Sequence, residues 1–470
     1  MFYCDNLKIR DEFGRERLFR GVNHCIKEHN ASAYHVHKHL LKKKVFKNMT
    51  SVGVNIVRLG VTWAAIEPHE GKYNDNLISA LKAFIDKCAD NNICVMFDMH
   101  QDLFSHHFHG DGAPKWAIDP SYTNPKQFAI WAEGYFYMQG VQNAFYDFWT
   151  NRNQIQTKFI KMWEHVAESL SDCDNIIGFD YFNEPYIHKD GRKVFLSLAS
   201  NVIKTAYGKN VNFEKYFNNC KDKTGFAKFA LKVYSFIRTK KGLHNLLSTM
   251  DNEEKFYDAI NGLGKYTNEF NSDYYQPFFD NASKCVNKKG VFNFFEHNYY
   301  SNLGIPFEIN TKGNDVYSPH AYDIFIDSPL YNKYSSDNRV RCILREIRKN
   351  QLNMNVPVLF GEWGGTAPGH EWLQHIDFIM SEFEKYHWSN IYWGYDFKRD
   401  ELNEIFNRPY PVAVCGDIEE IKTDSKNRKF TLKWTCNKNS DSVMTEVYVP
   451  NKGIVTYENK LGENEIEIEY

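Results

Sequence analysis

Two glutamates each stand at the end of an apolar, strand-like run, an arrangement that suits paired acid and base chemistry. Glu184 closes the run "IIGFDYFNE" and Glu362 closes "VPVLFGE". Both are followed by residues that end strands, Pro185 in one case and Gly364 in the other. One carboxyl group of such a pair can protonate the oxygen of a glycosidic bond while the other attacks the anomeric carbon or activates water. The pair therefore favours glycoside hydrolysis.

Polar side chains that end other apolar runs would support these carboxylates. A guanidinium at Arg58 favours a charged Glu362, and Tyr322 is expected to donate a hydrogen bond to the same group. Asn183 is expected to hold a sugar 2-hydroxyl. Further candidates at strand ends are Asn23, His24, His100, Asp102, Glu296, His320 and Trp393. A single glutamate of this kind is equally well explained as a salt-bridge partner, and Glu296 is a rival to the chosen pair.

Eight short, β-rich apolar runs alternate with longer helical patterns, which is typical of βαβ units and a parallel sheet. The runs are 17–24, 53–60, 92–100, 175–184, 290–298, 314–322, 356–364 and 389–396. We therefore predict an α/β fold, a (β/α)8 TIM barrel. Since catalytic groups in such barrels lie at the carboxyl ends of the strands, the polar residues named above are expected to share one face.

Two parts of the chain depart from this alternation. The Lys- and Asn-rich segment 191–272 is predicted to be an insertion in a βα loop, acting either as a lid or substrate wall or as a surface subdomain. After residue 410 the pattern changes to short alternating strands. The predicted organisation is a catalytic barrel over 1–410 and a small C-terminal β-sandwich domain over 411–470.

The bulk composition narrows the classes of partner. A net charge of −2 over 470 residues provides no electrostatic basis for binding nucleic acid or an anionic membrane. The ten cysteines include no C-x-x-C pair, so neither a structural metal nor a redox dithiol is predicted. Disulfide pairing and oligomeric state stay open.

The cellular compartment is also left open by the sequence. The first residues contain no apolar segment of a signal peptide, and no run reaches the roughly 18 apolar residues of a spanning helix. A cytoplasmic protein is expected if Met1 is the native start, and a secreted or lysosomal-type protein if a leader was removed. In the second case the sequons at Asn30, Asn48 and Asn281 become relevant.

An aromatic-rich stretch follows the third apolar run, where polar loop residues would be usual. Its apolar side chains are Phe128, Trp131, Tyr135, Phe136, Tyr137, Met138, Phe145 and Phe148. One interpretation is ordinary core. The other is a slot beside the site that removes acyl chains from water, each buried methylene contributing about 0.8 kcal/mol.

Longer motifs around these residues resemble those of clan A glycoside hydrolases, and within the clan those of family 5. The segments that carry this resemblance are "FDYFNEP", "VLFGEWGG", "VRLGVTWAAIEPHEGKYN", "PHAY" and "IYWGYD". A narrower set, over residues 17 to 416, is similar to the endoglycoceramidases and related ceramide glycosidases: "DMHQDLFS", "GDGAPKW", "NAFYDFWTNR", "SPHAYD" and "RPYPVAVCG".

The resemblance implies retaining hydrolysis of the β-linkage between a glycan and ceramide, with Glu184 as acid/base and Glu362 as nucleophile. It assigns the surroundings of the sugar to Lys27, Arg58, His100, Asp102, Trp149, Asn183, His320, Tyr322 and Trp393. It implies a glycosphingolipid substrate, contact with a membrane or micelle surface, and no metal or organic cofactor. Alternatives are an exo-acting glucosylceramidase, another family 5 β-glucanase, or a non-catalytic carbohydrate or lipid binder.

Overall fold

The structure is a computed structural model of the 470-residue chain. It describes residues 1–126, 131–188, 190–217, 222–286, 290–326, 328, 330–365, 369–394, 400–437 and 443–470. The chain begins with three short strands: β1 (Phe2–Asp5), β2 (Lys8–Asp11) and β3 (Glu16–Arg17). The barrel strands follow: β4 (Arg20–Ile26), β5 (Ile56–Thr62), β6 (Cys94–His100), β7 (Ile176–Asp180), β8 (Phe292–Phe295), β9 (Asp315–Tyr317), β10 (His320–Ala321), β11 (Leu359–Trp363) and β12 (Ser389–Tyr392).

The barrel strands form one parallel sheet that closes on itself. β12 pairs with β4, and β4 to β9 pair in chain order. The sheet closes between its two end strands. A parallel bridge joins Tyr317 of β9 to Val358, the residue just before β11, and β10 pairs with β11 itself. β9 and β10 are two halves of one barrel strand, interrupted where Pro319 has no N–H for the ladder. The predicted (β/α)8 TIM barrel is confirmed.

Helices follow the strands and cover the barrel. They are α1 (Ala33–His39), α2 (Lys43–Ser51), α3 (Trp63–Ile66), α4 (Asp75–Ala89), α5 (Glu133–Tyr137), α6 (Gln139–Trp149), α7 (Ile155–Ser169), α8 (Gly191–Tyr207), α9 (Asp222–Ile237), α10 (Lys240–Met250), α11 (Glu253–Ile260), α12 (Asn268–Phe270), α13 (Gln276–Ala282), α14 (Tyr331–Tyr334), α15 (Asp337–Met354), α16 (Trp372–Tyr386) and α17 (Asp400–Phe406). Within the described part of the chain, every helix is too short or too polar to span a bilayer.

α4 illustrates how sequence pattern produces a covering helix. The side chain of Asn74 accepts a hydrogen bond from the backbone N–H of Leu77 and so caps the first turn. Leu77, Leu81, Phe84 and Cys88 recur at helical spacing and are fully buried. The helix therefore presents one apolar face to the barrel strands.

Four helices, α8 to α11, occupy most of the predicted insertion between β7 and β8. They hold a small core of their own, formed by Leu196, Ile203, Phe213 and Phe229. Arg192 fastens α8 to the barrel side by donating hydrogen bonds to the carbonyl oxygens of Phe136 and Tyr137, at 3.1 and 2.7 Å. The insertion is thus a packed helical unit that is attached beside α5.

The C-terminal strands are β13 (Tyr410–Val414), β14 (Asp417–Asp424), β15 (Lys429–Cys436), β16 (Thr445–Val449), β17 (Gly453–Tyr457) and β18 (Gly462–Glu469). They form two antiparallel sheets around a shared core that includes Val414, Phe430, Trp434 and Val447. The predicted β-sandwich is confirmed. β1 to β3, which were expected within the barrel segment, belong to the same sheet as β13 of this unit: β1 pairs with β2, β2 with β3, and β3 with β13.

The side-chain alternation of the barrel strands positions the site. Ile56 and Met96 belong to an apolar cluster inside the amino-terminal half of the barrel. Two residues further along the same strands, Arg58 and Asp98 are fully buried and in contact. Because side chains at i and i+2 point to the same face of a strand, an inner apolar layer is followed by an inner charged layer. The charged layer is the floor of the site.

Candidate active site

A cavity of about 510 Å³ opens at the carboxyl ends of the barrel strands, and both predicted carboxylates line it. Glu184 lies four residues beyond β7, and Glu362 is the next-to-last residue of β11. The other polar lining residues are Lys27, His100, Asp102, Asn183, Asn302, Tyr322, Asp323 and Trp393. Arg58 and His320 contact the two carboxylates from below the cavity. The structure therefore brings ten of the eleven predicted site residues together.

The two carboxyl groups approach each other across His320. Its Nδ1 lies 3.0 Å from Oε1 of Glu184 and 3.5 Å from Oε2 of Glu362. One carboxylate oxygen of Glu184 and one of Glu362 lie within 4.8 Å of each other. The backbone of Glu184 is left-handed, with φ of 44°, and its N–H donates a 2.7 Å hydrogen bond to Oε2 of Glu296. Glu296 thus holds a strained residue in place at the site.

Arg58 is fully buried and organises the floor of the site. Its NH2 atom lies 2.8–2.9 Å from carboxylate oxygens of Asp98, Asp180 and Glu296. NH1 donates a 2.7 Å hydrogen bond to Oε1 of Glu362. Burial alone would lower the pKa of Arg58, but these carboxylates raise it well above its ordinary value. The guanidinium therefore stays charged and fixes the orientation of Glu362.

Glu362 is held by two donors on different oxygens. Arg58 occupies Oε1, and the hydroxyl of Tyr322 donates a 3.0 Å hydrogen bond to Oε2. Hydrogen bonds to a carboxylate are shorter and stronger than those between neutral groups. Both donors stabilise negative charge and leave the carboxylate facing the cavity, which is the state that a nucleophile requires.

Glu184 lies in surroundings that favour a bound proton. Burial raises the pKa of its carboxyl, and the charge of Glu362 raises it further, against an opposing effect of His320. Oε1 accepts hydrogen bonds from Asn302 Nδ2 at 2.8 Å and from His320 Nδ1 at 3.0 Å. A carboxyl whose pKa is raised toward neutrality suits a general acid. The site therefore separates the roles of its two carboxyl groups.

His320 and Glu296 form a charged pair beneath the two glutamates. Burial alone would lower the pKa of His320, but Glu296, Glu362 and Glu184 raise it well above its ordinary value. Burial alone would raise the pKa of Glu296, but His320 and Arg58 lower it to about 2. His320 Nε2 lies 3.2 Å from Oε1 of Glu296. Glu296 is thus a charged support for the site, and Glu184 remains the better acid.

Asn183 is fixed from both ends of its amide. Its Oδ1 accepts a 2.8 Å hydrogen bond from Arg58 NH2, and its Nδ2 donates to the carbonyl oxygen of Gln101 at 3.0 Å. The residue is buried and lines the cavity beside Glu184. This position agrees with the expected contact to a sugar hydroxyl next to the acid.

Lys27, His100, Asp102 and Trp393 form a polar wall of the cavity. The rings of His100 and Trp393 are stacked, with centroids 5.3 Å apart and planes 8° apart. Lys27 Nζ lies 2.5 Å from Oδ2 of Asp102 and 4.7 Å from the Trp393 ring centroid. Burial alone would raise the pKa of Asp102, but Lys27 and His100 lower it. A charged acceptor, a charged donor and an aromatic face together suit a sugar ring.

A second part of the lining is apolar. The rings of Phe136 and Phe195 are stacked at 4.0 Å, with planes 13° apart. Phe195 and Leu198 belong to α8, so the insertion supplies part of the cavity wall. The other apolar lining residues are Trp131, Tyr299, Leu303, Ile324 and Ile326. Of the two roles considered for the insertion, a wall of the cavity is the one that these contacts fit.

Trp149 is the predicted site residue that the structure places elsewhere. Its side chain is 4% exposed, and its ring packs against Phe182, Phe270 and Phe278. Its Nε1 donates a 2.8 Å hydrogen bond to the carbonyl oxygen of Tyr186. Because apolar rings enclose it, Trp149 packs in the core behind the site and does not line the cavity.

The aromatic-rich stretch divides between cavity and core. Trp131 and Phe136 line the cavity, as the lipid-slot interpretation expects. Phe128 lies outside the described residues. The core interpretation holds for the remaining side chains, which are fully buried: Tyr135, Tyr137, Met138, Phe145 and Phe148.

Several residues of the site were not anticipated from the sequence. Asp98 and Asp180 form ion pairs with Arg58. The sequence feature that could have identified them is an aspartate inside an apolar run, in "VMFDMH" and "IIGFDYF". Asn302 contacts Glu184 from a short helical turn after β8, where its sequence surroundings carry no signal. Arg58 therefore has more partners than the sequence suggested.

Three acidic clusters bring possible metal ligands within 4.8 Å of one another among the described residues: His100, Asp102 and Asp111; Glu184, His320 and Glu362; Asp98, Asp180 and Glu296. A basic side chain already contacts each cluster. Arg58 contacts the third, Lys27 the first, and a His320 with raised pKa is part of the second. These positive charges would repel a bound cation.

Comparison with known families decides the class of this site. Residues 11–399 match the family described as cellulase (glycosyl hydrolase family 5), and residues 408–464 match the glycoside hydrolase family 5 C-terminal domain. The chain belongs to glycoside hydrolase family 5. The predicted resemblance to this family is confirmed.

Individual relatives within and around family 5 are distant. An endoglycoceramidase of Cyanea nozakii is 27% identical over 202 residues, covering 38% of this chain and 40% of that protein. A glucosylceramidase of Rhizopus delemar is 27% identical over 176 residues, covering 30% and 26%. The matches thus span two fifths or less of the relatives' own length. The solved endo-glycoceramidase II of Rhodococcus sp. in complex with ganglioside GM3 shares the fold, with a TM-score of 0.67 at 17% identity over 97% of this chain and 98% of that one.

Proposed function

We propose that this family 5 enzyme is a retaining β-glycosidase that cleaves the bond between a glycan and ceramide in glycosphingolipids. The observation that carries the proposal is the approach of Glu184 and Glu362 to within 4.8 Å, at the base of a cavity with one polar and one apolar wall. Retaining enzymes hold their carboxyl groups about 5 Å apart, whereas inverting enzymes leave about 6.5–9.5 Å for a water molecule.

The first step transfers the glycan to Glu362. Its carboxylate attacks the anomeric carbon while the protonated Glu184 gives its proton to the glycosidic oxygen, so the C–O bond to ceramide breaks and ceramide leaves as an alcohol. Arg58 and Tyr322 hold the attacking group before and during this displacement. Asn183 is placed to hold the 2-hydroxyl, a contact that tightens as positive charge develops on the ring.

The second step releases the glycan. Glu184, now ionised, takes a proton from a water molecule, which attacks the anomeric carbon and displaces the Glu362 carboxylate. Two displacements at one carbon return the β configuration. The raised pKa of Glu184 allows the same group to act first as acid and then as base near neutral pH.

The divided lining of the cavity supports a substrate with a sugar half and a lipid half. Lys27, Asp102 and Trp393 offer hydrogen bonds and a stacking face to sugars. Phe136 and Phe195 form an apolar surface that would remove part of an acyl chain or sphingoid base from water. The named activity of the relative from Cyanea nozakii is consistent with this division.

An exo-acting glucosylceramidase is the second candidate, favoured by the match to the enzyme of Rhizopus delemar. Incubation with glucosylceramide and, separately, with lactosylceramide separates the two candidates by mass spectrometry of the released sugar. Intact lactose from the second substrate supports the endo-acting function. Glucose from the first substrate without lactose from the second favours the exo-acting enzyme. Turnover of neither substrate by folded protein would contradict both candidates.

A further inference from the structure

The helical insertion carries a basic stretch that the proposed chemistry does not use. Residues 223–250 contain six lysine and arginine residues and neither aspartate nor glutamate, in a chain whose net charge is −2. The stretch covers nearly all of α9 and all of α10. A concentration of one charge in a nearly neutral protein indicates a surface for a partner of the opposite charge.

One face of α9 combines this charge with exposed apolar side chains. Lys228, Leu231 and Tyr234 follow one another at spacings of three residues on α9. Arg238 comes directly after the last residue of the helix, and its backbone N–H donates a 2.9 Å hydrogen bond to the carbonyl oxygen of Tyr234, so it continues the same face. Leu231 is 69% exposed and Tyr234 is 60% exposed, and both basic residues are also exposed. We call these four residues the α9 face. Lys240 and Lys241 lie just beyond it, exposed at the start of α10.

α9 is built onto the elements that form the apolar wall of the cavity. Asp222, its first residue, accepts hydrogen bonds at 2.9 Å from Arg192 of α8 and from the backbone N–H of Gln139. The ring of Phe226 packs against Tyr137 of α5, with centroids 4.9 Å apart. α8 and α5 are the helices that supply Phe195 and Phe136 to the cavity. A partner bound to the α9 face would therefore contact a helix that packs directly against the two helices of the apolar cavity wall.

We propose that the α9 face docks on the surface of a lipid bilayer that contains anionic lipids. Lysine and arginine are attracted to the negative headgroups. A leucine and a tyrosine on the same face enter the headgroup region, which the amphipathic tyrosine ring favours. Nucleic acid would satisfy the charges but would leave Leu231 exposed to water. Binding of the α9 face to a bilayer does not depend on the proposed function. The inference rests on that function only in explaining why the protein would bind a bilayer, namely to bring a membrane-embedded substrate to the cavity.

Vesicle co-sedimentation of the full chain tests the docking surface without any turnover. The probes are vesicles of phosphatidylcholine alone and of phosphatidylcholine with phosphatidylserine. The informative variants are Arg238→Gln/Lys241→Gln and Leu231→Ser. Matched controls are Lys422→Gln/Lys426→Gln, two exposed lysines of the C-terminal unit, and Leu352→Ser, which replaces a leucine on α15 that is 53% exposed.

We expect binding to vesicles with phosphatidylserine and much weaker binding to phosphatidylcholine alone. The double charge variant should lose roughly 25-fold in partitioning, about fivefold for each basic residue removed. Leu231→Ser should weaken binding severalfold, and both controls should bind as the unmodified chain does. Equal loss in the controls, equal binding to both kinds of vesicle, or tighter binding of a DNA duplex than of the anionic vesicles would overturn the proposal.

Hydrolysis of a soluble aryl β-glycoside by the same variants keeps the two proposals apart. If the surface variants lose vesicle binding but keep the soluble activity, both proposals stand. If the soluble substrate is not hydrolysed while the vesicle results are as expected, the proposed function fails and the docking surface stands. If soluble hydrolysis occurs but the vesicle results are not those expected, the docking surface fails alone.

Discussion

The NH1 atom of Arg58 lies 2.7 Å from Oε1 of Glu362, although 304 positions separate the two residues in the chain. β5 carries the guanidinium and β11 carries the carboxylate, so closure of the barrel is what creates the contact. The same guanidinium contacts Asp98, Asp180 and Glu296. We therefore expect the proposed catalysis and the stability of the fold to depend on the same buried cation.

Removing that cation is expected to weaken both properties. Arg58→Met retains an apolar side chain but leaves buried carboxylates without their partner, so the free energy of unfolding should fall by about 3–5 kcal/mol. Denaturation in urea measures the loss. Arg345→Met is the control, because Arg345 is 64% exposed in its ion pair with Glu253 and should contribute at most about 1 kcal/mol. Equal effects of the two variants would contradict the central role of Arg58.

Variants of the two carboxylates that we propose as catalytic should respond differently to the leaving group. Glu362→Ala should abolish turnover of every substrate, since the covalent step is lost. Glu184→Ala should lower kcat by about 10²–10⁴ on glycosides with poor leaving groups and much less on aryl glycosides whose leaving groups need no protonation. A series of aryl β-glycosides of graded leaving-group pKa measures the contrast. If a folded Glu184→Ala protein lost kcat by the same factor on every glycoside of the series, Glu184 would not be the general acid.

The pH profile should report the proton on Glu184. Activity on the alkaline side is lost as the pH rises through the pKa of this group, because the acid must be protonated. The positive charge of His320 opposes the raising of that pKa. His320→Asn should therefore raise it further and move the alkaline limb of kcat/KM to higher pH, measured on an aryl glycoside with a poor leaving group that the acid must protonate. The control is His165→Asn, on α7 and outside the cavity lining, which should leave the alkaline limb at the same pH. A shift of the limb to lower pH in His320→Asn would contradict the assignment of Glu184 as the acid.

Two tryptophans should separate packing from substrate binding. Trp149→Phe loses a hydrogen bond and ring volume in the core, so stability should fall by about 1–3 kcal/mol while KM for glycans stays the same. Trp393→Phe changes a ring that lines the cavity and contacts Lys27, so KM should rise with little loss of stability. Thermal unfolding and steady-state kinetics on both variants measure the contrast. A raised KM with unchanged stability in Trp149→Phe would instead indicate that Trp149 contacts the substrate.

The apolar wall should matter for lipid-linked substrates alone. Phe195→Ser removes one partner of the stacked pair with Phe136, and kcat/KM for a glycosphingolipid in micelles should fall about tenfold or more, which corresponds to roughly 1.4 kcal/mol or more of lost burial. Hydrolysis of a soluble aryl glycoside should be unchanged. Phe378→Ser, a half-buried phenylalanine on α16 outside the cavity lining, is the control. An equal loss on soluble and lipid substrates would point to a damaged fold instead.

Much of the architecture could be predicted because it depends on local pattern. The eight apolar runs are eight barrel strands, since a buried parallel strand reads as a continuous apolar run whatever its partners are. Polar residues that end such runs meet at one rim, so Glu184 and Glu362 could be placed in one site from their positions alone. Arg58 was assigned to the same site, but the structure places it inside β5, in the charged layer beneath the rim. The change to alternating strands after residue 410 likewise predicted the sandwich, because period-two alternation marks sheets with one buried face.

Contacts between distant segments could not be read in the same way. The family resemblance assigned Trp149 to the surroundings of the sugar, whereas the structure packs its ring against Phe182 and Phe278 in the core. Asn302 reaches Glu184 from a turn whose sequence carries no signal of this contact. β1 to β3 join the sandwich through the pairing of β3 with β13, which lies about 400 residues further along the chain. Local sequence specifies which side chains are buried and which end a strand, whereas the choice of partner for a buried polar group depends on how elements far apart in the chain pack together.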